Sequence, residues 1–418
     1  MAKKRKVARK KKKPAAKKAK RPKRKAPKKK ARAVTKRKKS PKKKAKKAAA
    51  KAGSDLIARL PFRTAQKVFN TLYYERGEVY SKDFFTFATS VRVLAESEAK
   101  DFYFYLVKLA EKNKLPHKIR VLELGGGNGN SAAFFLKEFK KQDREHKTLF
   151  HKRVSYTLLD FSDKMLDSVK HNPKLKQYRK QILLVQADAG KPMPLEPGAY
   201  TYVRFNELYD DLPTDLLLLE QNKLYEVFLD VYLDSRVKVK DRKGNNVSRH
   251  SLAHLMKDTS IKLRDLNPEF VKKLELEVKY EPAHSDLASF LLLSKELGPN
   301  INNLVIPFPY TAAENLAQLK EALTPEGRID FFDYGFVSLK GLKQLQSGIF
   351  RTPGALTTFV NIPFLRAIAR IAGFGTVLVE PQAEYFKRIK KGVYTHDLKP
   401  KKKPGESKDA YYHVYLKS

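Results

Sequence analysis

The chain has 418 residues, with 88 Lys and Arg against 44 Asp and Glu, a formal net charge of +44, and no cysteine. The lack of cysteine excludes disulfides, thiolate metal sites and a cysteine nucleophile. No apolar run approaches the roughly 18–20 residues that span a bilayer, and the N-terminus lacks the apolar core of a secretory signal. A soluble intracellular protein is expected, cytoplasmic and nucleoid-associated, or nuclear in a eukaryote.

The charge is concentrated at one end. Residues 1–53 hold 30 Lys and Arg and no acid, which leaves +14 for residues 54–418. This stretch has no aromatic residue to start a core, and prolines at 14, 22, 27 and 41 interrupt it. Self-repulsion predicts a disordered tail. Such a tail binds DNA or RNA without sequence preference by releasing counterions; the alternative is a solvated arm that docks on acidic proteins. Its Ala-Lys-Lys and Pro-Lys-Lys-Lys repeats resemble linker-histone tails, and Lys3-Lys4-Arg5-Lys6-Val7 resembles a nuclear localisation signal.

Composition changes at Gly53-Ser54-Asp55, so a boundary is placed there. Residues 54–118 read as a helical pre-domain, with helices over Leu56–Tyr74 and about Val91–Asn113. The loop Asp83–Ser90 between them is a candidate lid. Residues 119–418 read as one α/β domain with an insertion at about 215–310.

Ile119-Arg-Val-Leu-Glu-Leu124 has the length of a buried strand and ends in Gly125-Gly-Gly-Asn-Gly129, after which a helical pattern begins at Ser131. A strand, a glycine turn and a helix open a Rossmann-like sheet, with helix N–H groups near any bound ligand. The dinucleotide pattern G-x-G-x-x-G fails because position 130 is Asn. The spacing from Glu123 through Gly125, Gly127 and Gly129 instead resembles motif I of class I S-adenosylmethionine (SAM) methyltransferases. There the acid faces the methionine end and the glycines, Gly126 among them, pass beneath the ligand. Another nucleotide, or a bare tight turn, remains open from the residues alone.

Three more strands follow. Val154–Asp160 ends in an acid that reads either as a ribose ligand or as the cap of a helix over Ser162–Lys170. Its distance from the glycines exceeds the usual ~20 residues, which is assigned to a polar insertion at Lys140–Lys152. Ile182–Asp188 ends in Asp188, placed either at the adenine amino group or in a solvated loop. Tyr200–Asn206 leads into Glu207-Leu-Tyr-Asp210-Asp211. Asn206, Glu207 and Asp210 are candidate catalytic residues, because paired carboxylates orient a guanidinium and accept its proton; Asp210 and Asp211 also read as turn caps.

Leu216–Leu219 and Leu224–Leu233 read as a β-hairpin, and residues 234–300 as a helical or irregular insertion. A helix over Ala312–Leu323, a strand over Gly327–Gly335, a helix from about Ile362 to Ala372 and strands over Thr376–Glu380 and Tyr411–Leu416 complete the domain. In this order the chain resembles the MidA-like SAM-dependent methyltransferases, whose mitochondrial members assist assembly of respiratory complex I. Asp83-Phe-Phe-Thr86 resembles the family's D-F-x-T, Glu123–Gly129 its E-L-G-P-G-x-G, and Asn206–Pro213 its N-E-x-x-D-A-x-P. Asp333-Tyr-Gly335, then Pro353–Gly354 with Thr357–Phe364, and finally Gln382–Tyr385, follow its remaining blocks.

The resemblance implies SAM as cofactor, no metal, and methylation of a protein arginine. Where the family has D-I-T-x-H-V-D-F, this chain reads Ala355-Leu-Thr-Thr-Phe-Val-Asn-Ile362, without the acid, the histidine or the second acid. The alternative is therefore a nucleic-acid-associated protein whose methyltransferase-like core is non-catalytic. A nucleic-acid methyltransferase ranks lower, because Asn206–Tyr209 lacks the prolines that amino-group enzymes carry there.

Overall fold

The computed structural model describes residues 53–76, 88–221, 223–259, 261–283, 303–345, 349–351, 355–401 and 403–418. The chain enters the fold as a strand, not as the helix expected from Leu56 onward. Pro61 cannot sit inside a helix without breaking its hydrogen bonding. The segment before it, β1 (Ser54–Pro61), pairs antiparallel with β7 (Lys223–Asp234), and α1 (Phe62–Tyr74) begins directly after the proline. Residues 54–118 are thus not helical throughout. The expected lid lies outside the described residues apart from Ala88–Ser90, whose backbone opens α2 (Ala88–Glu111).

The central sheet contains β2 (Ile119–Leu124), β3 (Val154–Asp160), β4 (Ile182–Gln186), β5 (Tyr200–Asn206), β12 (Leu323–Phe336), β16 (Thr376–Pro381) and β17 (Tyr411–Lys417). Its order is β16-β17-β12-β5-β2-β3-β4. The run from β4 to β12 is parallel, and β17 lies antiparallel to both β12 and β16. The parallel strands are apolar at nearly every central position because helices cover both faces. Strand order reverses between β2 and β5, which opens a crevice at their C-terminal ends.

The connection after the glycine turn is α3 (Asn130–Glu145), which runs through half of the stretch expected to be a polar insertion. A single turn of 3-10 helix, Phe150–Arg153, then leads into β3. After β3 come α4 (Asp163–His171) and a 3-10 stretch, Pro173–Gln181.

A second, antiparallel sheet is built on the expected hairpin of β6 (Asp215–Glu220) and β7. It adds β1, β10 (Leu274–Pro282) and β11 (Val305–Phe308). β10 lies in the stretch expected to be helical or irregular; its apolar Leu274, Leu276, Val278 and Tyr280 alternate with charged Glu275, Glu277, Lys279 and Glu281, and all but Leu274 are exposed or half-exposed. The rest of that insertion is a ribbon of β8 (Val239–Lys240) and β9 (Asn246–Val247), then α5 (Arg249–Asp258). Residues 284–302 lie outside the described residues. Later come α6 (Tyr310–Ala322), α7 (Leu339–Gln344), the pair β13 (Ile349–Arg351) with β14 (Leu356–Thr358), β15 (Val360–Asn361), α8 (Ile362–Ile371) and α9 (Gln382–Lys390). Among the described residues no helix is long and apolar enough to cross a membrane.

Two buried arginines fasten α2 to the sheet. Arg204 on β5 pairs with Glu98, and Arg328 on β12 pairs with Asp101 at 2.9 Å. Arg328 is fully buried, pairs also with Asp330 at 2.8 Å, and lies 5.1–5.7 Å from the ring centres of Tyr105, Tyr202, Tyr415 and Phe102. Removing one partner of such a pair leaves the others charged in a low dielectric. Arg328→Leu is therefore expected to lower unfolding free energy by about 3–5 kcal/mol in a denaturant titration; a change under about 1 kcal/mol would contradict this account.

Candidate active site

A cavity of about 930 Å³ opens at the C-terminal ends of β2, β3 and β5. Its floor is the glycine turn. Gly125 and Gly127 adopt positive φ (62° and 52°), a region closed to most side chains. Gly126 is required for a different reason: a Cβ there would lie within 2.8 Å of three carbon atoms of Leu158. Gly129 departs from its expected ligand role. It does not line the cavity but ends the turn at φ 76°, where a Cβ would meet Leu175 Cδ1 at 2.7 Å. It is the close-packing glycine of the loop.

Glu123 reaches the cavity wall, yet both of its oxygens are engaged. Oε1 accepts from Arg204 Nη1 at 2.7 Å and Oε2 from the Tyr156 hydroxyl at 2.7 Å. Asp160 lines the cavity at the end of β3 and does two local jobs. Its Oδ2 accepts the Gly127 N–H at 3.0 Å and its Oδ1 the Ser162 N–H at 2.9 Å. The cap of α4 is therefore Ser162, not Asp160. Burial raises the Asp160 carboxyl to about 6 despite these hydrogen bonds. Asp188 falls two residues past the end of β4, lines the cavity, and accepts the Gly190 N–H at 2.9 Å.

The other end of the cavity is acidic. Glu207 follows β5 with φ 50°, an uncommon conformation for a residue with a side chain, and its N–H is held by Phe332 O at 2.9 Å. The Tyr411 hydroxyl, from β17, lies 2.5 Å from Asn206 Oδ1 and 3.1 Å from Glu207 Oε1. Asp333 on β12 accepts the N–H groups of Tyr209 at 2.8 Å and Asp210 at 3.4 Å, so it fixes the turn that carries the acids. Asp211 is bonded by the Tyr74 hydroxyl and by Asn70 Nδ2 at 3.4 Å. Neither Asp210 nor Asp211 caps a helix, because the chain runs on into β6.

Asp210 is 8% exposed and its Oδ1 has no hydrogen-bond partner. Burial, with Asp333, Asp211 and Glu207 nearby, pushes its carboxyl far above the usual range. Burial raises Asp333 and Glu207 as well, and carries Asp211 to about 7. Among the described residues no Lys, Arg or His forms an ion pair with any of the four. Asn206, Glu207 and Asp210, the candidates expected from the sequence, meet here. Asp333, Tyr411 and Tyr74 join them from distant segments, and only the Asp333-Tyr-Gly335 block signals one of these in the sequence.

The family described as "Putative S-adenosyl-L-methionine-dependent methyltransferase" matches residues 104–370, more than half of the chain. The chain belongs to that family, the MidA-like SAM-dependent methyltransferases. An uncharacterised superfamily protein from Burkholderia thailandensis has a similar structure, with TM-score 0.52 at 16% identity, covering 86% of this chain and 88% of that one. A member of the same superfamily from that organism, bound to S-adenosyl-homocysteine, gives TM-score 0.51 at 14% identity over the same shares. No curated protein matches the chain. The residues present fit the cofactor: a positive-φ glycine floor, a carboxylate at the end of the neighbouring strand, and a cavity in the ~300–1,000 Å³ range of ligand sites.

The crowded carboxylates carry a stability cost with a definite pH dependence. Their raised values mean that the folded chain binds more protons than the unfolded chain. Stability from these groups therefore falls as pH rises from about 4 through the Asp211 value of about 7. Asp210→Asn removes one charge from the group and is expected to stabilise the fold by on the order of 1 kcal/mol, more at pH 8 than at pH 5. Thermal melts at the two pH values measure this; equal or reversed effects would refute it.

Proposed function

We propose that this chain transfers a methyl group from SAM to an arginine side chain of a protein. The observation that carries the reading is a set of four carboxylates, Asp210 and Asp333 buried and Glu207 and Asp211 half-buried, that lacks a cation among the described residues. A planar guanidinium supplies the missing charge, and its paired N–H donors match carboxylate geometry. A nucleic-acid phosphate would be repelled from the same end.

Bound SAM supplies a methyl group activated by its sulfonium. In this reading the Gly125–Gly127 turn and Glu123 form the wall of the methionine end, Asp160 accepts the ribose hydroxyls and Asp188 meets the adenine amino group. Glu207 and Asp210 orient the acceptor nitrogen. The proton lost on methylation passes to a carboxylate of the cluster, whose raised affinity for protons suits it as a base near neutral pH. Asn206, tied to Glu207 through Tyr411, limits the freedom of the acceptor. Orientation supplies most of the rate.

Tritiated-methyl SAM, the full-length chain and protein extract from cells lacking it test the acceptor. Acid hydrolysis is expected to release the label as methylarginine; label in methyl-lysine, or label released by nuclease, would overturn the assignment. Glu207→Gln is expected to cut turnover at least ~100-fold with SAM affinity unchanged by calorimetry. Cofactor binding should weaken as pH falls through the Asp160 value of about 6, because a protonated carboxyl loses acceptor capacity for the ribose. Asp160→Asn should bind SAM weakly with no such pH dependence.

A further inference from the structure

The helical layer over the β2–β3–β4 side of the sheet is strongly basic. Between Lys137 and Lys180 there are thirteen Lys and Arg, none of them buried. Only three acids in that span, Glu145, Asp163 and Asp167, are exposed. The other three, Glu138, Asp143 and Asp160, are buried and already serve internal contacts.

These charges share one face. α3 crosses from β2 to β3, and α4 with the Pro173–Gln181 stretch crosses from β3 to β4. Two right-handed crossovers stepping the same way lie on the same side of the sheet. Side chains bind the two together: Lys174 Nζ sits 4.8 Å from the Phe134 ring centre and Lys140 Nζ 5.9 Å from that of Tyr178. The basic face runs up to the cavity, whose mouth Asn130, Phe134 and Lys174 line.

We infer that this face binds the phosphate backbone of nucleic acid. Closely spaced Lys and Arg release condensed counterions, which yields affinity without base contacts. An anionic membrane is the weaker match. Interfacial insertion needs a row of large apolar side chains, and near this face only Leu149 and Leu183 are exposed ones. The first 53 residues carry the same chemistry independently, with 30 Lys and Arg and no acid. The inference does not depend on which group the cavity methylates.

The experiment separates the face from the tail within the full-length chain. Lysines are acetylated with and without a random-sequence 30-base-pair duplex at low salt, and each site is read by mass spectrometry. Lys137, Lys141, Lys176 and Lys180 should be protected severalfold, and Lys257 and Lys391 should not. In parallel, Lys137→Gln, Lys141→Gln, Arg144→Gln, Lys176→Gln and Lys180→Gln are combined. Duplex affinity by fluorescence anisotropy should fall at least tenfold, and the log–log salt slope should shrink by roughly 3–5, at ~0.9 per phosphate contact. SAM affinity should stay unchanged, which certifies the fold. Protection confined to residues 1–53 with an unaltered slope would overturn the inference. So would binding of phosphatidylserine vesicles in preference to the duplex.

Discussion

Arg204 is the cation on which the site's geometry rests. It projects from the central strand β5 and is 1% exposed. From there it reaches Glu98 on α2, Glu123 on β2, Tyr156 on β3 and Ser131 on α3. Those five elements meet at the point where strand order reverses. Without the guanidinium, Glu98 and Glu123 would be two buried like charges with no counter-charge. With it, α2 is fixed against the sheet, and the glycine turn that follows β2 starts from a defined place. Arg328 repeats the device one helical turn further along α2, through Asp101. Around Arg204 the carboxylates and hydroxyls satisfy the buried charge; at Arg328, Nε and Nη1 have no hydrogen-bond partner and the guanidinium lies against aromatic rings instead.

The acidic end of the cavity follows the opposite rule. It too gathers carboxylates, buried or half-buried, but its fixed partners are hydroxyls, amides and backbone N–H groups, which lower a carboxylate's charge penalty only in part. The neighbours do not complete the cluster; they hold it open. Glu207 is kept in an unfavourable backbone conformation, and Asp210 keeps an oxygen with no partner. Strain and carboxylates without an opposing cation, together at one place that lines the cavity, mark a binding site rather than scaffold.

Much of the architecture was legible because it is local. The apolar strand runs, the glycine turn and the 217–226 hairpin register are properties of short segments, and each strand of the parallel sheet appears where its run lies. The features that short segments do not show share a different cause. β1 looked helical because its partner β7 lies more than 160 residues away. The scaffold role of Glu123, beside its place on the cavity wall, is not legible locally because Arg204 and Tyr156 are remote in sequence. Gly129 matched the motif by spacing, but the contacts that require it, with Leu175 and Val169, come from the next crossover. Asp333, Tyr411 and Tyr74 arrive from three separate segments, so no window of sequence contains the carboxylate cluster.

The same separation explains the departures from the family's D-I-T-x-H-V-D-F block. Ala355, where the family has an acid, is fully buried in a small cluster with Tyr73. Asn361, where the family has another, caps α8 through the Phe364 N–H at 3.1 Å and donates to Pro307 O at 2.9 Å. An asparagine satisfies both of those demands at once, which a carboxylate, having no donor, does not. These two changes are therefore absorbed by the scaffold. Phe359, in the histidine's place, differs because it lines the cavity. It puts an apolar wall where the family has a titratable, hydrogen-bonding one. Under the proposed reading, proton acceptance would rest on Glu207, Asp210, Asp211 and Asp333 rather than on an imidazole.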